Sequence, residues 1–370
     1  AILHIYSTSD TNVQGYSAEF TLADIDVQSP DGGEVWLMDT TTNILWTSGG
    51  AGPTVSLAYS TNQTGARIWI PIATAVTNNG LYPWTVSRNV SRSARIRVMS
   101  EGSVDSDTNL WSMSAADFNI AGVHVTFPDK STDRITRNVP VPLVTHDGAP
   151  GSWNQGVKIE ISYDWTNTFS LLGPAASAWP LSAGFPFTPT YPTTKGRIRV
   201  TVNDPSPYTN VWDLSDEFFT VAGILMDNPT NGAIFNIASA YPVRWSSAGA
   251  PDTAQAYIYY SNQGTNNFIN LTPAGFNNDQ TFDLAQKRQF INTYNWSVGQ
   301  TLTPSTNARM KVVAGPYADV SLPFTLRGIR INNPTNGVSW NAWTTQVITW
   351  QYAGLDVNAK VRLALSRMAG

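Results

Sequence analysis

The sequence predicts an all-β fold made of tandem sandwich modules. Three observations support this: apolar and polar residues alternate in short runs, turn residues separate the runs, and two landmarks recur about once per hundred residues. Alternation with a period of two is the signature of a strand with one buried face. Helical spacing with capping residues is nearly absent. The chain is therefore expected to contain sheets and turns almost throughout.

The two landmarks keep a common phase along the chain. The first is a phenylalanine in an alternating run, and its copies are Phe20, Phe118, Phe219 and Phe324. The second is a proline turn, and its copies are Pro30, Pro128, Pro229 and Pro334. Proline presets φ, and the Gly, Asn or Asp residues that follow accept turn conformations. Two landmarks in phase favour repeated modules over the alternative of one large β-domain.

The repeat divides the chain into five segments. They are residues 1–24, the last strands of a preceding module; 25–122, a complete module; 123–223, a divergent module; 224–328, a third module; and 329–370, the first strands of a further one. About seven short strands per module predict an immunoglobulin-like (fibronectin III-like) β-sandwich. In the end segments, residues 20–22 and 361–365 are predicted strands. An incomplete module at each end suggests a fragment of a longer protein.

The joints between modules are short. Four pairs are expected to separate the last strand of one module from the first strand of the next: Ala23-Asp24, Ala121-Gly122, Ala222-Gly223 and Arg327-Gly328. Two residues give almost no reach, whereas a flexible tether needs many. Neighbouring modules should therefore touch, and the predicted object is a stiff rod.

Composition restricts the classes of partner. Charged residues make up 13% of the 370 residues and the net charge is −4, which argues against a nucleic-acid partner because such a partner needs a basic face. No apolar run approaches the roughly 18 residues of a membrane span. Cysteine is absent, so disulfides are excluded. Abundant Asn, Thr, Ser, Gly and Trp with few Lys and Glu favour an extracellular or cell-surface location, with any targeting segment elsewhere or removed.

Candidate catalytic residues are few. The histidines His4, His124 and His146 fall at different places in the repeat, and none stands beside a nucleophile motif. The chain is therefore predicted not to be an enzyme.

Calcium is the one cofactor that the sequence suggests. Asp105, Asp107 and Asn109 alternate oxygen ligands as a calcium loop would, but the glycine and distal glutamate of an EF-hand are missing. A looser acidic cluster contains Asp213, Asp216 and Glu217. The competing interpretation of both groups is ordinary turn chemistry, which also favours Asp and Asn.

Thirteen of the fourteen tryptophans divide into two groups. Those that recur in phase are interpreted as core positions: Trp46, Trp245 and Trp350; Trp84 and Trp296; Trp36 and Trp340, with Phe235; and Trp111 and Trp212, with Tyr317. Those without a counterpart are candidates for stacking on a polysaccharide: Trp153, Trp165, Trp179 and Trp343. A position that requires an aromatic residue in every copy is more simply explained by packing.

N-glycosylation triplets begin at Asn62, Asn89 and Asn295. In a chain rich in Asn and Thr such triplets also arise by chance, so they are candidate acceptor sites only.

The sequence resembles a known class of module. The run from Ile25 to Trp36 with the later Ile44-Leu45-Trp46 resembles the opening of the Ig-like module of yeast Knh-type cell-wall synthesis proteins, which also occurs in tandem in bacterial secreted surface and S-layer-like proteins. The resemblance is closest in residues 25–122, good in 224–328 and weakest in 123–223. It implies a scaffold or adhesive role and supplies no catalytic residues.

The leading functional hypothesis is a structural cell-surface protein that assembles into a surface layer, filament or stalk. Its expected partners are copies of itself or other surface proteins. Two alternatives remain open at the level of sequence. One is an adhesin module that binds carbohydrate or another ligand, and the other is a non-catalytic extension of a secreted enzyme.

Overall fold

The computed structural model describes residues 1–62, 66–101, 110–147, 156–166, 168–172, 185–203 and 211–366, and at 144, 146 and 147 it describes the backbone only. Within these ranges the chain is all-β, and no helix is present. None of the described residues forms a long apolar helix of the kind that spans a membrane.

The first sandwich packs a three-stranded sheet on a larger one. Its strands are β3 Asp24–Ser29, β4 Val35–Leu37, β5 Thr41–Gly49, β6 Thr54–Ser60, β7 Ile70–Thr77, β8 Leu81–Thr85, β9 Ser91–Glu101, β10 Trp111–Met113 and β11 Phe118–Ala121. One sheet has the order β3-β5-β8 and the other β4-β11-β9-β6-β7, with β10 added beside β9. The core between them is drawn from residues 25–120.

The second sandwich repeats this plan. Its strands are β12 Val123–Phe127, β13 Arg134–Thr136, β14 Val141–Asp147, β15 Val157–Ser162, β16 Ser170–Leu171, β17 Phe185–Phe187, β18 Thr193–Val202, β19 Trp212–Leu214 and the first half of β20 Phe219–Asn228. The sheet β12-β14-β17 faces the sheet β16-β15-β18-β20. Among the described residues, its core is drawn from residues 121–221 and contains no tryptophan.

The third sandwich begins in the second half of β20. Its further strands are β21 Ile234–Asn236, β22 Ala240–Ala248, β23 Ala256–Ser261, β24 Ile269–Asn270, β25 Phe282–Asp283, β26 Arg288–Gln289, β27 Ile291–Ser297, β28 Ser305–Ala314, β29 Tyr317–Val320 and β30 Phe324–Asn333. The sheet β20-β22-β27 packs on β21-β30-β28-β23-β24. Its core is drawn from residues 224–326.

One topological feature marks each sandwich as Ig-like. In each sandwich the opening strand is divided between the two sheets. The part before the proline turn joins one sheet, and the short part after it pairs parallel with the last strand of the other sheet. This gives the parallel pairs β4–β11, β13–β20 and β21–β30. The landmark phenylalanines Phe118, Phe219 and Phe324 lie at these pairs and are buried. The four landmark prolines all follow cis peptide bonds.

Most in-phase aromatic residues of the three sandwiches are core residues, as predicted. Trp46, Trp84, Trp245 and Trp296 are at most 6% exposed. The indole nitrogens of Trp46 and Trp245 donate hydrogen bonds to the equivalent amides of Asn78 and Asn278, at 2.8 and 3.1 Å.

The prediction of a core position was wrong for Trp340, which is 37% exposed in the last segment, and for Trp111 and Trp212. The latter two are 47% and 50% exposed. Each opens a three-residue strand at the sheet edge, opposite the outward-facing Met99 or Thr201, so the pleat directs the indole to solvent. Tyr317 pairs with Ala314, one register position away, and is not their structural equivalent.

Each end segment lacks one of the strands that were predicted for it. β1 His4–Tyr6 pairs with β2 Gln14–Tyr16, while residues 20–22 form no strand. At the other end β31 Thr349–Ala353 pairs with β30, and residues 361–366 form no strand. Alternating sequence alone does not create a strand, because its backbone groups need a neighbouring partner.

Candidate functional site at the junctions between sandwiches

The junctions are the most distinctive feature of the described structure. The predicted joint at Ala222-Gly223 does not interrupt the chain, because β20 runs unbroken from Phe219 to Asn228. Its first half pairs with β18 of the second sandwich, and its second half pairs with β22 of the third. β30 continues through Arg327-Gly328 in the same way. Only Gly122, between β11 and β12, stands outside a strand. The expectation of a two-residue separator is therefore corrected at the second and third junctions, where both joint residues stay in the hydrogen-bonded ladder.

A turn of the earlier sandwich braces each junction. The backbone N–H groups of Met38, Arg137 and Ile237 donate to the carbonyls of Ala121, Ala222 and Arg327, at 3.0, 2.8 and 2.9 Å. The side chains of the same three residues cover the joint glycine. A Cβ on Gly223, whose φ is +154°, would lie 2.8 Å from Cβ of Arg137. Glycine is required here because the neighbouring turn leaves no room for a side chain.

A second repeated contact involves the bulge near the start of each sandwich. The register shifts after Val27, Val125 and Met226, so the ladder is irregular at these residues. Their N–H groups donate to side chains on the strand before the last: Ser112 Oγ at 3.3 Å, Asp213 Oδ2 at 2.8 Å and Asp319 Oδ2 at 2.8 Å. The polar side chain thus accepts a hydrogen bond from a backbone N–H that would otherwise be buried without an acceptor.

At the first junction, Arg88 of the first sandwich reaches into the second. Its guanidinium lies 3.5 Å from Asp213 and 2.5 Å from Asp216, and 3.1 Å from Asp39 of its own sandwich. Asp213 is 2% exposed, and burial raises the pKa of its carboxyl, although hydrogen bonds from the Val125 and Leu214 amides and the charge of Arg88 oppose the shift. Arg88 therefore supplies a countercharge to an acid that is costly to bury.

At the second junction, Arg137 contacts three separate segments. Its guanidinium donates to the carbonyl of Thr190 at 2.6 Å and to that of Ile224 at 2.7 Å, and lies 3.4 Å from the Asp319 carboxylate. Arg134 donates to the hydroxyl of Tyr317 at 2.8 Å. A planar guanidinium offers several donors in fixed directions. Arg137 thus links the second sandwich to the third through the strand that they share.

The acidic cluster suggested by the sequence divides into separate roles. Asp213 serves the bulge, and Glu217 accepts a hydrogen bond from the Ser131 amide at 2.8 Å. Asp216 lies instead with His124 and Asp129, whose ligand atoms are within 4.8 Å of one another and of Asp216. Neither His124 nor Asp129 was predicted to be a metal ligand. The sequence spacing of His124 and Asp129 does not indicate a metal site, because the third residue, Asp216, is brought to them by the fold and not by the local sequence.

The other predicted sites are only partly described. Asp105, Asp107 and Asn109 lie outside the described residues, as do Trp153 and Trp179. Trp165 is 45% exposed in the second sandwich, and Trp343 is fully exposed in the last segment. These two remain candidates for a surface role, and the calcium loop remains a prediction.

The three predicted glycosylation residues differ in accessibility. The Asn62 amide donates to the Ala66 carbonyl at 3.0 Å, and that of Asn89 donates to the Tyr59 hydroxyl at 2.6 Å. Asn295 is exposed on β27. Of the three, Asn295 is the best placed to react, because the other two amide nitrogens are engaged.

The histidines show no catalytic arrangement in the described structure. His4 stacks on Tyr16 with ring centroids 4.3 Å apart and contacts Gln14 at 3.0 Å. His124 Nε2 is buried without a hydrogen-bond partner among the described residues. The side chain of His146 lies outside the described part.

Comparisons with known proteins add little. No family model matches the sequence, and a search of curated proteins found no match. Among solved structures, the N-terminal four Ig domains of Dscam1 isoform 1.9 are 9% identical, with a TM-score of 0.22, covering 85% of this chain and 77% of that one. The ICAM-5 D1–D4 ectodomain fragment is 11% identical, with a TM-score of 0.20, covering 85% and 80%.

A third solved structure, the fibronectin(III)-like modules of Clostridium thermocellum CbhA, is 13% identical with a TM-score of 0.19, covering 53% of this chain and 93% of that one. Similarities at this level carry no argument about function. The assignment of the chain as an all-β protein of tandem Ig-like sandwiches rests on the strand topology itself.

Proposed function

We propose that this chain is a non-catalytic structural segment of a cell-surface protein, in which tandem sandwiches form a stiff rod within a surface layer, filament or stalk. The observation that carries the proposal is β20, a single strand that belongs to two sheets of successive sandwiches. A strand paired on both sides of a joint resists bending, because bending would break ladder hydrogen bonds.

The bracing side chains support the same proposal. Arg137 fixes the shared strand and the third sandwich together, and Arg88 performs a similar task one junction earlier. The low charge of the chain also suits lateral association, since little like-charge repulsion opposes it. The resemblance to Knh-type and S-layer-like modules is consistent with this role.

Small-angle X-ray scattering on the purified chain tests the stiffness. We expect one maximum dimension that does not depend on ionic strength. A variant with Gly-Ser-Gly-Ser inserted between Ala222 and Gly223 should scatter as a flexible ensemble. The same insertion after Gly264, in a turn of the third sandwich, is the matched control and should keep the native profile. Native scattering as broad as that of the joint insertion would refute the rod.

Electron microscopy and surface labelling test the cellular role. Antibodies against the purified chain should label intact source cells, and the concentrated protein should form sheets or filaments. Soluble single particles at high concentration would rule out self-assembly and leave the stalk. Labelling only after the cells are broken would rule out a surface location.

A second candidate function is the binding of polysaccharide. A cleft of about 400 Å³ lies between the second and third sandwiches, and its lining includes Tyr163, Tyr191 and Arg288. Tyr191 is 54% exposed and meets Tyr163 edge to face, with ring centroids 5.3 Å apart. Exposed aromatic rings can stack on sugar faces. Glycan-array binding that is lost in Y191A, and not in Y352A, which removes an exposed tyrosine of the last segment, would support this function. No binding would exclude it for the sugars tested.

A further inference from the structure

We propose a binding site for a divalent transition-metal ion at the first junction, formed by His124, Asp129 and Asp216. One atom from each side chain lies within 4.8 Å of the other two. Three ligands at the corners of such a triangle surround a point less than about 3 Å from each. Small side-chain shifts would bring them to the 2.0–2.2 Å at which imidazole and carboxylate bind zinc.

The histidine supplies independent evidence for a ligand. Its Nε2 atom is buried and has no hydrogen-bond partner among the described residues. A buried nitrogen without a hydrogen-bond partner lowers the stability of the fold. The nitrogen of a neutral imidazole can instead coordinate a metal through its lone pair. His124 lies in β12, and Asp129 follows Pro128 just beyond the end of that strand.

The carboxylates are held in place before any ion binds. Asp129 is 6% exposed, its Oδ1 accepts the Asp216 amide at 2.6 Å, and its own amide donates to Asp133 at 2.7 Å. Asp216 is exposed, so an ion can approach from solvent. A carboxylate accepts more than one partner, and these contacts therefore leave coordination capacity on both residues.

The chemistry of this donor set selects the ion. One imidazole and two carboxylates suit zinc and similar transition metals, whereas calcium prefers six to eight oxygen ligands. Water would complete the coordination.

Arg88 makes the site part of the junction. Its guanidinium lies 2.5 Å from Asp216 and comes from the first sandwich, while all three ligands come from the second. Two cations that share one carboxylate compete for it. Metal binding would therefore weaken an ion pair between the sandwiches, and loss of Arg88 would strengthen metal binding.

Zinc titration of the whole chain by calorimetry tests the proposal, with calcium and magnesium titrations beside it. We expect one zinc ion per chain and no comparable uptake of calcium. H124Q and D216N should each lower zinc affinity at least tenfold, while R88Q should raise it several-fold. H4Q removes a surface histidine far from the cluster in sequence and should bind as the native chain does.

Circular dichroism of each variant verifies folding, and D216N keeps the test valid if H124Q does not fold, because residue 216 is exposed. No stoichiometric uptake of zinc, or uptake unchanged in the folded D216N variant, would overturn the site. Zinc affinity lowered in R88Q would show that Arg88 does not compete with the ion and would also contradict the arrangement proposed.

Discussion

Asp213 and Asp319 occupy the same place in successive sandwiches and make the same pair of contacts. Each carboxylate accepts the N–H of the bulged residue in the opening strand, at 2.8 Å. Each also faces an arginine from the preceding sandwich, Arg88 at 3.5 Å and Arg137 at 3.4 Å. A residue that stabilises the inside of one sandwich thus also receives the contact from its neighbour, and the fold of each unit is coupled to its junction.

The first prediction concerns Arg137. R137A should lower the free energy of unfolding by about 1–3 kcal/mol, because it leaves the partly buried Asp319 without its ion partner and two carbonyls without a donor. R137K keeps the positive charge but not the several fixed donors of the guanidinium, so we expect an intermediate loss of stability. Urea denaturation measures the stability, and scattering measures the increase in flexibility.

The control for Arg137 is R362A, which removes an exposed arginine from the last segment. It should change neither measurement. If R137A leaves both stability and scattering at the native values, Arg137 does not brace the junction.

The second prediction concerns the pH dependence caused by Asp213. Burial raises the pKa of this carboxyl above its ordinary value of 3.8, so the folded state binds its proton more tightly than the unfolded state does. Its contribution to stability therefore falls as pH rises between the ordinary and the raised pKa. D213N keeps an acceptor for the Val125 amide without the charge. The stability of D213N minus that of the native chain should become more positive as pH rises from about 4 to 7.

D216N is a useful comparison, since it removes an exposed carboxylate that also contacts Arg88. It shows how much of the pH dependence at the first junction comes from the second carboxylate that Arg88 contacts. A pH-independent difference for D213N would mean that Asp213 ionises in the folded state as easily as in water.

The third prediction has the opposite sign and concerns Glu160. Burial opposes its ionisation, but hydrogen bonds and charges from Lys158 and Arg199, both at 2.7 Å, outweigh that effect and lower its pKa. Its stabilising contribution is complete above the ordinary value of 4.5 and is lost as pH falls through the lowered pKa. E160Q should therefore cost most near neutral pH and least in acid.

Urea denaturation of E160Q and the native chain between about pH 3 and 7 measures this difference. E34Q serves as a control, because the Glu34 side chain makes local hydrogen bonds to the amides of Asp31 and Gly32 instead of ion pairs. A difference that grows toward acid would contradict the stated balance at Glu160.

The repeat and the alternation were sufficient to predict the all-β sandwiches, because each copy must bury one face of every strand. The landmark Phe219 and the tryptophans Trp46 and Trp245 confirm this. Trp212 was misassigned because an aromatic that recurs in phase can also cover the outside of an edge strand. Sequence periodicity gives the spacing of such a residue but not the face of the pleat.

The candidate sites were harder to predict than the fold. The Arg137 contacts join residues far apart in the chain, and nothing in the local sequence marks an arginine as a brace. His124 and Asp216 lie on separate strands whose proximity follows from sheet order alone. The continuous strand at Gly223 was missed because the glycine was interpreted as a break in the strand. The glycine is required instead because the Arg137 side chain packs closely against it.

The last prediction compares two tyrosines at equivalent positions. Tyr59 and Tyr260 are both nearly buried, and each ring packs on the equivalent tryptophan, Trp84 or Trp296, with centroids 5.2 and 4.9 Å apart. The Tyr59 hydroxyl donates to Ser87 Oγ at 2.9 Å and accepts from Asn89. The Tyr260 hydroxyl has no hydrogen-bond partner among the described residues.

Removing the two hydroxyls should therefore have opposite effects. Y260F should stabilise the chain by about 1–3 kcal/mol, because a buried polar group without a partner is eliminated. Y59F should destabilise it by about 0.5–1.5 kcal/mol, because a satisfied hydrogen bond is lost. Thermal and urea denaturation of both variants provide the measurement, with each serving as the control for the other. Destabilisation of similar size in both would indicate that the Tyr260 hydroxyl is as well satisfied as that of Tyr59.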